Sequence, residues 1–288
     1  MIVHVVDGTF ELFRQFFARP PHINSKGEDV SAVRGVLRGL LTMLSEGATH
    51  IGVATDHVVE SFRNDLYDGY KTGEGIDPVI HNQFSILEDG IEALGIKLCA
   101  MKKFEADDAM ASMARVAVAD ERVERVMLLT PDKDLAQCVV KGRVLQVDRR
   151  NNKVMDFDDV VAKYGVEPAS IPDWLGLMGD TADGFPGLKG WGAKSAATVL
   201  NRYKTIENIP LAAGQWDITV RGSKKLANTL KNNMADALLF KQLAILDVHA
   251  PTIDSVDELA WSGPASNLAE FAEYIDTKDL VEKTNKLT

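Results

Sequence analysis

The chain has 288 residues and a formal charge of −10, with 32 Lys and Arg against 42 Asp and Glu. Its 45 % apolar and 26 % charged residues exclude long disorder, collagen and coiled coil, and allow one large domain or two ordinary ones. No stretch approaches the ~20 apolar residues of a membrane-spanning helix, and the apolar start at Met1–Val6 ends at Asp7, too soon for a signal peptide. Two cysteines, Cys99 and Cys138, cannot build a disulfide framework, so a cytoplasmic protein without a membrane partner is expected. A net acidic chain reads at first as a poor nucleic-acid binder.

Ile2–Val6 is a short β-branched run and predicts a buried strand ended by Asp7-Gly8. Val33, Val36, Leu37, Leu40, Leu41 and Leu44 then recur at helical spacing, with Ser31 as the expected N-cap and Gly47 as the stop. Further strands are predicted at Ile51–Ala54, Ile96–Cys99, Val126–Leu129 and Val144–Val147. Helical stripes lie at Ile80–Leu94 and Glu105–Ala119. Apolar strands alternating with helices predict an α/β fold with a mostly parallel sheet covered on both faces.

Three of the predicted strands run into an aspartate: Asp7, Asp56 and Asp132. In open α/β sheets ligands lie beyond the carboxyl ends of the strands, so the fold should aim these carboxylates at one place. More acids arrive in clusters: Glu105 with Asp107 and Asp108, Asp132 with Asp134, and Asp180 with Asp183. Each acid alone reads as a turn former or helix-dipole partner. Packed together they repel strongly. Divalent metal with hard oxygen ligands resolves that repulsion, which points to Mg²⁺ or Mn²⁺; the absence of His and Cys from the clusters argues against zinc. Such a cage suits two-metal phosphoryl chemistry.

Two motifs fall short. Val6-Asp7-Gly8-Thr9 resembles an aspartyl-phosphatase signature, but Val5 stands where the nucleophilic Asp belongs. Gly187–Ser195 resembles a P-loop, but Ala193 separates the last glycine from Lys194. Gly187, Gly190 and Gly192 instead predict a tight hairpin leading into a helix over Ala193–Tyr203, whose N-terminal N–H groups and Lys194 suit a DNA phosphate. The charge agrees: residues 185–250 carry nine Lys and Arg against four Asp and Glu, so the basic charge gathers in this half.

Together these stretches resemble the 5′-nuclease family: the nuclease domain of bacterial DNA polymerase I, phage 5′-nucleases and flap endonucleases. The resemblance covers roughly residues 1–250 and rests on Val-Val-Asp7-Gly, Phe-Arg63 followed by Tyr70-Lys71, Glu105-Ala-Asp107-Asp108, Asp132-Lys-Asp134 and the run from Met-Gly-Asp180 through Asp183 to Lys194. It implies a PIN-like nuclease core over 1–172, with a helical arch at about 63–89, and a helical DNA-binding domain over 173–288 with a helix–three-turn–helix motif. It implies nine metal-binding acids: Asp7, Asp56, Glu105, Asp107, Asp108, Asp132, Asp134, Asp180 and Asp183, with Asp7, Asp56 and Asp132 central to catalysis. It places Arg14 near the substrate phosphate and Lys71 at the base of the arch, where it would polarise the scissile phosphate. Arg63 would hold the DNA or the arch base, and Tyr70 would either stack on a base or pack in the core. Gly187, Gly190, Gly192, Lys194 and Ser195 would grip the duplex backbone, with a potassium ion held by backbone carbonyls in relatives.

The implied activity is that of a stand-alone, monomeric, Mg²⁺-dependent 5′-3′ exonuclease or flap endonuclease acting on branched or 5′-ended DNA, with a separate DNA polymerase as a partner. The sequence departs from the family at Glu74, where relatives carry a phosphate-gripping Arg, and at Gly184, where they carry Asn. Glu74 motivates an alternative, a non-catalytic binder of branched DNA. An RNA-cleaving nuclease of the PIN type ranks last, because the glycine hairpin has no place in it. The stretch 255–288 carries no readable motif.

Overall fold

A computed structural model of the chain describes residues 1–287. Its first half alternates strands and helices: β1 (Ile2–Asp7), α1 (Gly8–Ala18), α2 (Ser31–Ser45), β2 (His50–Asp56), α3 (Pro78–Ala93), β3 (Lys97–Met101), α4 (Ala106–Ala119), β4 (Arg125–Leu129) and β5 (Val144–Asp148). A short strand the sequence did not signal, β6 (Lys153–Met155), pairs antiparallel with β5. Among the described residues the sheet order is β3-β2-β1-β4-β5-β6, and every pair but the last is parallel. The connection reverses direction at β1, so the switch point that open sheets use for ligands lies beyond the ends of β1 and β4.

Both sheet faces are covered, which is why the strands read as continuous apolar runs. Val6, Ile51 and Val53 pack under α1, α2 and α3, while Val3, Val5 and Ala54 pack under Met110, Met113 and Ala114 of α4. At Gly8 a side chain would press on the Ala54 carbonyl oxygen at 2.8 Å, so only glycine lets α1 leave β1 this close to β2.

A helical half follows: α5 (Phe157–Tyr164), α6 (Ile171–Met178), α7 (Ala193–Tyr203), α8 (Ser223–Asn232) and α9 (Met234–Ala244). Trp174, Phe185, Leu200 and Phe240 form its core. The last two helices, α10 (Leu268–Tyr274) and α11 (Asp279–Asn285), leave this half. Leu268, Phe271, Ile275 and Leu280 join the core of α1, α2 and α3, and Ala260 bridges to His50 of β2. The helical unit expected over 173–288 therefore ends well before the chain does, because the apolar face of α10 is buried on the α/β half.

Two local expectations change. Ser31 is the first residue of α2 rather than its cap, and Gln83 of α3 supplies the acceptor, its Oε1 taking the N–H groups of Ala32 and Val33 at 3.1 and 3.3 Å. The arch expected over about 63–89 opens with a short 3-10 turn at Phe62–Asp65 and becomes α-helical only from Pro78, capped by Asp77, where it is the core helix α3 with Ile80, Phe84 and Leu87 buried. What bridges Lys71 to Pro78 is a short loop over Thr72–Asp77.

The halves are joined by a buried ion pair. Arg63 is 1 % exposed and donates to both carboxylate oxygens of Asp108 at 2.7 and 2.8 Å, and to the carbonyls of Leu243 and Ile245 at 2.8 and 2.9 Å at the C-terminal end of α9. Asp108 also accepts the N–H groups of Glu105 and Asp247. Removing one partner leaves the other charged and buried, a loss of about 3–5 kcal/mol. Arg63→Met should therefore lower the unfolding free energy in urea by about that amount, whereas Arg63→Lys, which keeps a charge but not the planar fork, should lose less; an Arg63→Met protein as stable as wild type would show that the pair joins nothing.

Candidate metal and phosphate site

Each acid reaches the site by the end of a strand or the start of a helix. Asp7 closes β1 and caps α1, its Oδ1 taking the Phe10 N–H at 2.8 Å and its Oδ2 the Thr130 hydroxyl at 2.9 Å. Asp56 closes β2 on the neighbouring strand and accepts the Ala106 N–H at the start of α4 at 2.8 Å, while its own N–H donates to Thr9. Glu105 precedes α4 and accepts the hydroxyls of Ser61 and Tyr70 at 2.7 and 3.3 Å. Asp107 lies in the first turn of α4. Asp132 follows β4, its Oδ1 taking the Asp134 N–H at 2.9 Å, and Gln146 holds its loop by donating to the carbonyls of Thr130 and Asp132. Asp180 and Asp183 sit on the turn after α6, closed by paired backbone bonds between Asp180 and Phe185.

The burial of these groups sets their protonation. Burial pushes Asp7 up to about 7, with Asp56 and Asp132 adding to the rise against the Phe10 N–H and Thr130. Burial also raises Asp56, with Glu105 adding to it. Asp107 is raised well above the carboxylate range by burial and then by Asp132 and Asp7. Asp132 and Asp134 rise for the same reasons, burial first and neighbouring acids next. Eight of the nine expected acids thus feel one another directly.

Two lysines answer this charge. Lys71 pairs with Asp183 at 2.9 Å and Glu105 at 3.2 Å; burial works against its charge, but those two acids prevail and hold the ammonium above its ordinary pKa. The base of the loop is locked beside Asp183, since the Lys71 N–H donates to the Asp183 carbonyl at 3.0 Å. Gly184 has φ 87°, and a side chain there would sit 2.1 Å from the Gly69 carbonyl oxygen, so glycine in place of Asn is what lets this seat form. Lys133, given no role by the sequence reading, is ion-paired with Asp180.

The arrangement fits a divalent cation. Asp134, Asp180 and Asp183 each offer an oxygen within 4.8 Å of the others, and Asp134 Oδ1 is buried without a hydrogen-bond donor. A buried carboxylate oxygen lacking a donor in an all-carboxylate pocket has the chemistry of a hard-metal ligand.

One expected role is corrected, and two that the sequence left open are narrowed. Asp108 cannot be a metal ligand, because both its oxygens are taken by Arg63 and two backbone N–H groups. Arg63 does not touch DNA, because it is buried in that pair. Tyr70 is 4 % exposed with its hydroxyl on Glu105, so it packs in the core and stacks on no base. Arg14 lies two turns along α1 from Asp7 and is engaged by the buried Glu11 at 3.2 Å. Thr130, Ser61, Thr9 and Gln146 orient the acids and were not foreseen; only Thr130, next to the Asp132 motif, had a sequence signal.

Four residues after Asp183 the glycine hairpin begins and presents a second, basic surface. Gly187 and Gly190 have φ 65° and 89°, and Gly187 packs so closely on Gly179 that a side chain would lie 2.3 Å from its nitrogen. Gly192 caps α7, where the Ser195 hydroxyl accepts the Gly192 N–H at 3.0 Å, so Ser195 shapes the turn. Lys194 is exposed beside a groove of about 560 Å³ shared with Thr198, Thr219 and Arg221.

Comparison with known proteins bears on this geometry. Residues 2–165 match the model of the 5′-3′ exonuclease N-terminal resolvase-like domain, and residues 166–267 that of the 5′-3′ exonuclease C-terminal SAM fold. A 5′-3′ exonuclease of Aquifex aeolicus is 34 % identical over 210 residues, 72 % of this chain and 71 % of that protein. DNA polymerase I of Pseudomonas aeruginosa is 33 % identical over 280 residues, 94 % of this chain but only 30 % of the polymerase. The bacteriophage T5 flap endonuclease, solved in a complex with DNA and metal ions, shares the fold with a TM-score of 0.62 at 20 % identity, over 99 % of this chain and 100 % of that one. With two domain models in tandem along the chain and its acids gathered at the carboxyl edge of the sheet, the chain belongs to the 5′-3′ exonuclease family.

Proposed function

We propose that this chain hydrolyses DNA phosphodiesters at 5′ ends and flaps, and that it does so with Mg²⁺ or Mn²⁺. The observation that carries the reading is the Asp134–Asp180–Asp183 pocket with its donorless buried oxygen, set beside Asp7, Asp56, Asp107 and Asp132. Divalent ions bound by these acids would supply a water of lowered pKa and neutralise charge on the scissile phosphate. The chain's own part is positional. Thr130, Thr9 and the Ala106 N–H orient Asp7 and Asp56. Lys71, kept protonated by Glu105 and Asp183, stands at the entrance as a cation for the phosphate.

The groove beside Lys194 and Arg221 is the proposed grip on the duplex, through helix N–H groups and phosphate contacts that read no sequence. A potassium ion at the hairpin carbonyls, a monomeric state, a separate polymerase as partner and a role in replication and repair are proposed with it. A cytoplasmic location is proposed on the two free thiols, Cys99 and Cys138. A second reading, a branched-DNA binder without catalysis, has one observation in its favour: Glu74 lies exposed on the loop after Lys71, where it would repel phosphate.

Three outcomes are expected. On a 5′-flap DNA the purified protein should release short 5′ fragments in Mg²⁺ and none in EDTA, and Asp132→Asn should slow cleavage on the order of 10²-fold or more; binding without product in either metal would establish the second reading instead. Glu74→Arg should raise the single-turnover rate up to about tenfold, worth about 1.4 kcal/mol, and an unchanged rate would remove Glu74 as a brake. Stability should depend on pH with a definite sign. The unfolded carboxyls titrate near 3.8 and folded Asp7 at about 7, so between those values the native state holds the extra proton and stability falls as pH rises. In EDTA the melting temperature should drop between pH 5 and 8, and Mg²⁺ should remove the drop; a flat profile would mean that the acids carry no mutual strain.

A further inference from the structure

We infer that the Lys133 ammonium is a built-in counter-ion of the Asp134–Asp180–Asp183 pocket, and that a divalent ion enters this pocket only by displacing it. The inference rests on the metal-dependent reading above. Lys133 Nζ is ion-paired with Asp180 Oδ2 and stands 3.9 Å from Asp134 Oδ1, the buried oxygen that lacks a donor. That oxygen is too far for a hydrogen bond, so the ammonium neutralises it without saturating it. A single positive charge therefore occupies the space between two of the three carboxylates that a cation would bridge.

The way Lys133 is held makes it displaceable. Its backbone is anchored at the entry to the short turn Asp134–Cys138, where the Lys133 carbonyl accepts the Ala136 N–H at 3.1 Å. Its side chain is 28 % exposed on a flexible four-carbon stem, so the ammonium has a route to water. Lys71, by contrast, reaches the pocket only through Asp183 and is held on its other side by Glu105. The two lysines thus divide the cluster, and it is Lys133 that stands where the oxygens of Asp134 and Asp180 converge. A double charge coordinated by several oxygens outcompetes one ammonium, but the competition weakens apparent metal affinity. In return the metal-free acids are spared part of their repulsion.

The test is Mn²⁺ binding, followed by the electron paramagnetic resonance signal of the free ion and independent of cleavage. Wild type, Lys133→Met, Lys133→Gln, Lys133→Arg and Asp134→Asn are titrated, each after a cooperative melt has shown that it folds. Lys133→Met and Lys133→Gln should bind Mn²⁺ on the order of tenfold more tightly at one site, while Lys133→Arg, which keeps the charge, stays within about threefold of wild type. In EDTA at pH 8 both neutral variants should melt below wild type, and Mn²⁺ should close the gap. Unchanged or weaker Mn²⁺ binding by the neutral variants, with Asp134→Asn still losing a site, would overturn the displacement while leaving the metal reading intact. A wild type that binds no Mn²⁺ would overturn both.

Discussion

Mutual repulsion among crowded carboxylates, several of them buried, is the constraint on which this molecule turns. The topology brings the ends of β2, β1 and β4 side by side; β2 and β1 end in Asp56 and Asp7, and Asp132 follows β4 three residues on. Helix starts and one turn add Glu105, Asp107, Asp134, Asp180 and Asp183, so that eight acids share one edge of the sheet. They cannot all be ionised at neutral pH without positive charge. The protein meets this with protonation, with donors such as Thr130 and the Ala106 N–H, and with Lys71 and Lys133. The same residues that tolerate the charge at rest are those a metal and a phosphate would relieve of it, which ties stability and function to one balance.

A ninth acid shows how position alone decides a role. Asp108 lies one residue from Asp107 and in the first turn of the same helix. Helical geometry turns Asp107 towards the cluster and Asp108 towards the interior, where Arg63 binds both its oxygens. Arg63 continues to the carbonyls at the end of α9, so this pair fastens the sheet, the loop before Lys71 and the helical half together. The seat of Lys71 beside Asp183 depends on the same region, through Gly184 and its close approach to Gly69. The geometry of the site and the joining of the halves are therefore one structural problem, and both rely on backbone groups that no side-chain pattern announces.

The amino-acid sequence by itself determined the parallel strands, the helices α2, α4 and α7, the glycine hairpin and the acids that face the site, because apolar periodicity, glycine conformations and charge clusters are local properties of the chain. It also carried the family, since the spacing of the acid motifs survives in linear order. Only the tertiary structure decided which acid of a pair points inward, that Tyr70 and Arg63 are buried, and that the later part of the expected arch is a core helix whose Gln83 caps α2. It likewise decided that the last helices return to the α/β half and that Lys133 stands among the acids. These outcomes depend on contacts between residues far apart in the chain, and local pattern holds no information about which of two exposed-looking charges will meet its partner across the fold.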